Sequence, residues 1–182
     1  MRGLYAIVDL DALSARDLDP LRFARAVLCA SPAALQLRAK HATSDETLRL
    51  LSALAPLCRA AHVPFVGNDS VELAVLGGCD LVHLGQGDMS LSAARRLAPN
   101  LGFGISTHTP EQLDLALGGH PTYVAFGPVY RTASKAEPDP EVGLAGLRQA
   151  AARVADFGRL QRQALPLVAI GGISVERAEA VA

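Results

Sequence analysis

The feature that most constrains the fold is the alternation of short apolar runs with longer amphipathic segments. The near-continuous hydrophobicity of these runs is typical of parallel strands that are covered on both faces. A repeated strand–helix order predicts right-handed crossovers and a parallel sheet. The predicted strands are Leu4–Val8, Ala34–Arg38, Pro64–Gly67, Leu81–Leu84, Leu101–Ile105, Tyr123–Phe126 and Leu167–Ile170.

Helical patterns fill the segments between these strands. Ser44 stands before an apolar stripe and is the predicted N-cap of the longest helix, and Thr109 followed by Pro110 predicts another helix start. Residues 128–142 are predicted to be a polar loop, and residues 156–166 a solvated basic extension of the surface. The predicted helices are Asp19–Cys29, Ser44–Ala61, Val71–Leu76, Ser92–Leu97, Pro110–Leu117, Leu144–Ala155 and Val175–Ala182.

The composition narrows the class of protein. The chain has 182 residues, of which 50% are hydrophobic and 19% charged, so it has ample material for a core and is not disordered. A net charge of −1 gives no general attraction for nucleic acid or an acidic membrane. The three cysteines include no CxxC pair, which argues against a disulfide framework or a zinc site. With no apolar run approaching a membrane span, we expect a cytoplasmic protein without nucleic-acid or membrane partners.

Polar side chains follow several predicted strands at their downstream ends. Gln36, Arg38 and Lys40 alternate along one strand and therefore point the same way, opposite to Leu35 and Leu37. In a parallel β/α barrel such ends converge on the face that carries the chemistry, where cations can hold phosphate oxygens. The alternative is a surface strand end with ordinary ion pairs.

Two carboxylates occupy similar places after the next strands. Asn68 and Asp69 follow one strand, and Asp88 follows His83 and a glycine-rich turn. Mg²⁺ is typically held by one or two carboxylates, with waters and phosphate oxygens completing its shell. The pattern predicts a magnesium-bound polyphosphate, although each aspartate could instead cap a helix or stabilise a turn.

Hydroxyl groups, a lysine and glycines follow the last two strands. Thr132, Ser134 and Lys135 lie in one loop and could wrap a phosphate, unless the loop is simply solvated. Gly172 belongs to a Gly-Gly pair that either exposes backbone N–H groups to a phosphate or makes a plain turn. Ser106 ends a strand and could hydrogen-bond a substrate heteroatom, and His108 either acts in proton transfer or caps the next helix.

The ordered set of these motifs resembles the thiamine phosphate synthase family over nearly the whole chain. The resemblance implies a TIM (β/α)8 barrel enzyme that joins 4-amino-5-hydroxymethyl-2-methylpyrimidine diphosphate to 4-methyl-5-(2-phosphoethyl)thiazole, releasing pyrophosphate. Two departures are Ala39, where the family usually has Glu, and Ser134, where it usually has Thr. The motifs are Gln36–Lys40, Asn68-Asp69, Val82–Asp88, Gly104–Thr109, Phe126–Lys135 with Gly143-Leu144, and Gly171-Gly172.

The resemblance also implies residue roles. The diphosphate would be held by Gln36, Arg38, Lys40, Asn68 and Lys135, of which Arg38, Lys40 and Lys135 are the expected catalytic cations. Asp69 and Asp88 would bind Mg²⁺. Ser106 would contact the pyrimidine with His83 close by, and the thiazole phosphate would be held by Thr132, Ser134 and Gly172.

The number of strand–helix units falls short of a closed barrel. The chain is therefore expected to be a single β/α-barrel domain, residues 1–182, that is C-terminally truncated and lacks the final β/α unit. An uncovered edge of that kind is compatible with a homo-oligomer. Two other functions stay open: a thiazole tautomerase-like barrel, which would need His108 as a proton shuttle, and a non-catalytic phosphate-ligand-binding barrel.

Overall fold

The computed structural model describes residues 3–132 and 139–181, in which strands and helices alternate. The strands are β1 Tyr5–Asp9, β2 Ala34–Arg38, β3 Phe65–Asn68, β4 Leu81–Leu84, β5 Gly102–Thr107, β6 Tyr123–Phe126 and β7 Leu167–Ala169. The helices are α1 Leu10–Ser14, α2 Pro20–Leu28, α3 Ser44–Ala60, α4 Val71–Leu76, α5 Leu91–Leu97, α6 Pro110–Gly118, α7 Gly143–Gln161 and α8 Val175–Val181. All seven predicted strands are confirmed in position, within two residues at either end.

The chain separates into two compact units, Met1–Phe103 and Gly104–Ala182. The first contains β1 to β4, which pair in parallel and in chain order. Its core includes Val8, Leu35, Leu37 and Phe65, all at most 1% exposed, because these apolar strands are covered by α2, α3 and α4.

The second unit contains β5, β6 and β7, which also pair in parallel. Tyr123 on β6 is completely buried, and Gly104 on β5 leaves it room, since a Cβ there would lie 2.0 Å from the Tyr123 ring. The fold is thus α/β with parallel strands, as the apolar runs predict. The expectation of one truncated barrel domain stays a prediction.

Helix ends follow local side-chain chemistry. Thr109 is the N-cap of α6, as predicted, and its hydroxyl accepts from the Gln112 N–H. The prediction that Ser44 caps α3 is wrong, because Thr43 is the cap and its hydroxyl accepts from the Glu46 N–H at 3.2 Å.

Two further elements differ from the sequence-based expectations. Helix α1 was not predicted, because five residues are too few to display a helical period. The expected surface extension at residues 156–166 is wrong over its first part, since α7 continues to Gln161 and an Asp156–Arg159 ion pair lies on its last turns. In the part of the chain that the structure describes, no helix combines the length and hydrophobicity needed to cross a membrane.

Candidate functional site

A row of connected polar side chains joins β1, β2 and β3. Gln36 is only 4% exposed, so its amide must find partners inside the protein. Its Nε2 donates to Asn68 Oδ1 at 2.6 Å, and its Oε1 accepts from Tyr5 Oη at 2.6 Å. The tyrosine hydroxyl therefore fixes the orientation of the Gln36 amide. Since Asn68 Oδ1 is already an acceptor here, the Asn68 Nδ2 group is the one that can donate to a ligand.

Arg38 at the end of β2 is held by aspartates from the end of β1 and the start of α1. Its Nη1 lies 2.7 Å from Asp9 Oδ2 and 3.7 Å from Asp11 Oδ2. Asp11 Oδ2 also lies 2.9 Å from His41 Nδ1. The alternative of ordinary ion pairs is therefore met for Arg38, whose charge is shared with carboxylates already present in the protein.

Lys40 reaches the end of β3. Its Nζ lies 3.7 Å from Asp69 Oδ2, and both side chains are exposed enough to accept a ligand. A cavity of about 170 Å³ adjoins these two residues on the side of α3 and α4. Gln36 and Lys40 thus both contact residues at the end of β3, as their alternation along β2 predicts.

Asp69 and Asp88 form an acidic pair. The pKa of Asp69 is raised above its ordinary value, first by burial and then by the negative charge of Asp88 and a hydrogen bond with the Asp88 side chain, against the opposing effect of Lys40 and Arg38. Two carboxylates this close either share a proton or enclose a cation. The arrangement has the oxygen donors that a hard cation requires.

The backbone supports an unusual position for Asp69. Its φ of 65° lies in the left-handed region, and its N–H donates to the His83 carbonyl oxygen at 2.9 Å. Strained backbone of this kind persists only where the surrounding structure enforces it, and it concentrates at functional sites. The alternative that Asp69 caps α4 is wrong, because Ser70 is the N-cap and its hydroxyl accepts from the Leu73 N–H at 3.1 Å.

Asp88 has a local role as well. Its Oδ2 accepts from the Gly85 N–H at 2.6 Å, so the carboxylate does stabilise the turn after β4. Ser90, and not Asp88, caps α5. His83 on β4 is the register partner of Asn68 and is half-buried, which places it beside the polar row of β1 to β3.

The second unit carries the remaining site candidates. Ser106 on β5 is half-buried beside Ala125 in the strand register, and Thr132 is half-buried after β6. Ser134 and Lys135 lie outside the described residues. The roles expected for these four side chains therefore stay predictions.

The Gly-Gly pair after β7 is a close backbone crossing. Gly172 has a φ of 61°, and a Cβ there would lie 2.4 Å from the Arg131 carbonyl oxygen. The crossing is closed by the Tyr130 N–H, which donates to the Gly171 carbonyl oxygen at 3.0 Å. The Arg177 guanidinium stacks 4.5 Å above the Tyr130 ring and donates to the Gly172 carbonyl oxygen. These contacts explain the glycine by packing, and its phosphate contact stays a prediction.

His108 contacts the backbone after β6. Its Nδ1 lies 2.5 Å from the Gly127 carbonyl oxygen, and its Nε2 lies 3.4 Å from Asp139 Oδ2. The expectation that it caps α6 is wrong, since Thr109 does so. The carbonyl contact fixes the ring with a proton on Nδ1.

Three residues of the first unit escaped the sequence analysis: Tyr5, Asp9 and Asp11. Asp9 is the register partner of Arg38 in the parallel β1–β2 pair, and Tyr5 reaches Gln36 from the same strand. A signal existed, because an acidic residue at the end of β1 must lie near a cation at the end of β2 once the two strands pair.

Comparisons with known proteins agree with this site. A family model described as Thiamine monophosphate synthase matches residues 4–182. A thiamine-phosphate synthase of Chlorobium phaeovibrioides is 36% identical over 94% of this chain and 78% of its own length. One of Methanocella arvoryzae is 38% identical over 98% of this chain and 79% of its own length. A solved thiamine phosphate pyrophosphorylase of Pyrococcus furiosus has a TM-score of 0.81 and 30% identity, covering 98% of this chain and 79% of that one.

Proposed function

The chain belongs to the thiamine monophosphate synthase family, and on that premise we propose that it condenses 4-amino-5-hydroxymethyl-2-methylpyrimidine diphosphate with 4-methyl-5-(2-phosphoethyl)thiazole to give thiamine phosphate and pyrophosphate. The observation that carries this proposal is the cluster at the ends of β2 to β4. There Lys40 lies beside Asp69, whose pKa is raised by burial and by the neighbouring Asp88.

The acidic pair fits Mg²⁺. Two carboxylates from consecutive strand ends supply oxygen donors only, which is the donor set that this cation prefers. Asp69 and Asp88 would hold the ion, with water and diphosphate oxygens as its other ligands. When bound, Mg²⁺ supplies positive charge that stabilises the leaving pyrophosphate. The described residues contain no group of three or more His, Cys, Asp or Glu suited to a metal, which is consistent with an ion shared with its substrate.

The cations of β2 would hold the diphosphate itself. Lys40 and Arg38 neutralise charge on its oxygens, and the Asn68 Nδ2 group donates a hydrogen bond beside them. Gln36 keeps Asn68 in that orientation through its 2.6 Å contact. Lys135 would add a further cation as the leaving group departs.

The second substrate and the pyrimidine would use residues of the second unit. Ser106 would hydrogen-bond the pyrimidine, with His83 close by, and Thr132, Ser134 and Gly172 would hold the thiazole phosphate. The thiazole nitrogen attacks the methylene carbon as pyrophosphate leaves, so no protein nucleophile is required.

We also propose that the strand–helix alternation belongs to a TIM (β/α)8 barrel. The likeness to the solved pyrophosphorylase supports this assignment. The eighth β/α unit stays a prediction, which intact-mass measurement of the native protein would test.

The experiment combines the purified protein with both substrates, with and without Mg²⁺, and detects thiamine phosphate by mass. We expect product only with the metal. Lys40→Ala should reduce kcat/KM at least tenfold, since it removes a cation from the diphosphate. Arg49→Ala is the matched control, because Arg49 is an exposed cation of the same unit that pairs with Asp45 on α3. Absence of product with the native protein would refute the proposal and favour the tautomerase-like or binding-only alternatives.

A further inference from the structure

We propose that Asp9 is a positioning residue that orients the Arg38 guanidinium toward the substrate diphosphate, an inference that rests on the proposed function. Asp9 and Arg38 are direct register partners in the parallel β1–β2 pair. Their side chains meet at 2.7 Å, and they are 21% and 18% exposed. A half-buried pair of this kind is screened less by solvent than a surface ion pair.

Both oxygens of the Asp9 carboxylate are engaged. Oδ2 accepts from Arg38 Nη1, while Oδ1 accepts from the Ala12 N–H at 3.1 Å as the N-cap of α1. The carboxylate cannot rotate without losing the cap. Helix α1 therefore fixes the direction in which Asp9 holds the guanidinium.

Only one edge of the guanidinium is used. Within the described residues, the ion-pair contacts of Arg38 with Asp9 and Asp11 both run through Nη1. Arginine presents its donors as a rigid planar fork, so fixing Nη1 also fixes where Nη2 points. The Nη2 group is then the donor that remains for a phosphate oxygen.

Two effects of Asp9 oppose each other. Its negative charge weakens the attraction of Arg38 for any anion, whereas its contact removes the rotational freedom that Arg38 would otherwise lose on binding. The proposal states that orientation dominates. Removal of the Asp9 charge should then weaken anion binding, although simple electrostatics predicts the opposite sign.

Asp9→Asn is the informative variant. Asparagine caps helices as well as aspartate does, so α1 is retained, but the charged contact with Arg38 is lost. We expect pyrophosphate, titrated calorimetrically with Mg²⁺, to bind roughly threefold to tenfold more weakly, and kcat/KM to fall by about tenfold. In an Arg38→Ala background, Asp9→Asn should change either quantity by less than twofold.

A matched control separates this role from capping and from general charge. Asp19 is the N-cap of α2 in the same unit, where it accepts from the Arg22 N–H at 2.7 Å. Asp19→Asn removes one negative charge from a helix N-cap and should leave pyrophosphate affinity unchanged. Equal melting temperatures of the two variants would confirm that α1 remains folded.

Each result decides the matter. Tighter pyrophosphate binding by Asp9→Asn would show that Asp9 merely neutralises Arg38, and an equal loss in the Arg38→Ala background would show that it acts elsewhere; either overturns the proposal. If the native protein makes no thiamine phosphate but binds pyrophosphate, the proposed function fails while the titration still tests Asp9. If the native protein does not bind pyrophosphate, the positioning role falls too.

Discussion

Asp88→Asn should make the metal-free protein more stable while it abolishes metal-dependent activity. The asparagine side-chain oxygen can still accept from the Gly85 N–H, which Asp88 contacts at 2.6 Å, so the turn is retained. What is lost is the negative charge that, after burial, is the main cause of the raised pKa of Asp69. Relief of this repulsion stabilises the folded state.

The size of the effect follows from exposure. The Asp69 side chain is 36% exposed, so solvent screens the repulsion, and we expect a gain of about 1 kcal/mol in the free energy of unfolding. For a chain of this length that corresponds to a rise in Tm of roughly 2–4 °C. Mg²⁺ at about a hundred times its Kd should stabilise the native protein by about 2.7 kcal/mol, but not the variant.

The pH dependence has a definite sign. Because the folded-state pKa of Asp69 is raised above 3.8, the folded protein binds its proton more tightly than the unfolded chain does. Native stability therefore falls as pH rises from about 4 through the raised pKa, and then levels off. The advantage of Asp88→Asn should be largest at neutral pH and vanish near pH 4.

The assay is thermal denaturation in EDTA and in Mg²⁺, between pH 4 and pH 8. Asp45→Asn is the control, because this side chain is 81% exposed and its loss should change stability by no more than about 0.5 kcal/mol. A metal-free Asp88→Asn protein that melts below the native one at pH 7.5 would refute the acidic-pair argument. A fully active variant would refute the metal assignment.

Two further predictions concern packing and burial. Gly172→Ala should destabilise the protein by about 1–3 kcal/mol, because its φ of 61° and a backbone oxygen 2.4 Å from the new Cβ both oppose a side chain; Gly118→Ala, where the Cβ meets nothing within 4 Å, is the control in the same thermal assay. Burial, with a nearby carboxylate, raises the pKa of the Cys58 and Cys79 thiols to about 12, so at pH 8 a thiol reagent should label exposed Cys29 alone in the native protein and all three after unfolding; rapid labelling of Cys58 without unfolding would contradict this.

Much of the fold was predictable because local pattern and burial agree. The bounds of Ala34–Arg38, Leu81–Leu84 and Tyr123–Phe126 match the prediction at both ends, since each is an apolar run buried in a parallel pair. The cap of α3 was missed because Thr43 and Ser44 are both good caps, and the sequence alone does not choose between them. The end of α7 was missed because its last turns are solvated and have no apolar stripe to reveal them.

The sequence by itself determined the class of the site: cations, carboxylates and amides at strand ends, in an order that indicates diphosphate and metal chemistry. The tertiary structure alone decided which charges are shared. Arg38 meets Asp9 across 29 positions of sequence, and Asp69 senses Asp88 after the chain has passed through a further strand and helix. Strand register sets these contacts, and register depends on the packing of whole strands and not on the residues beside each charge.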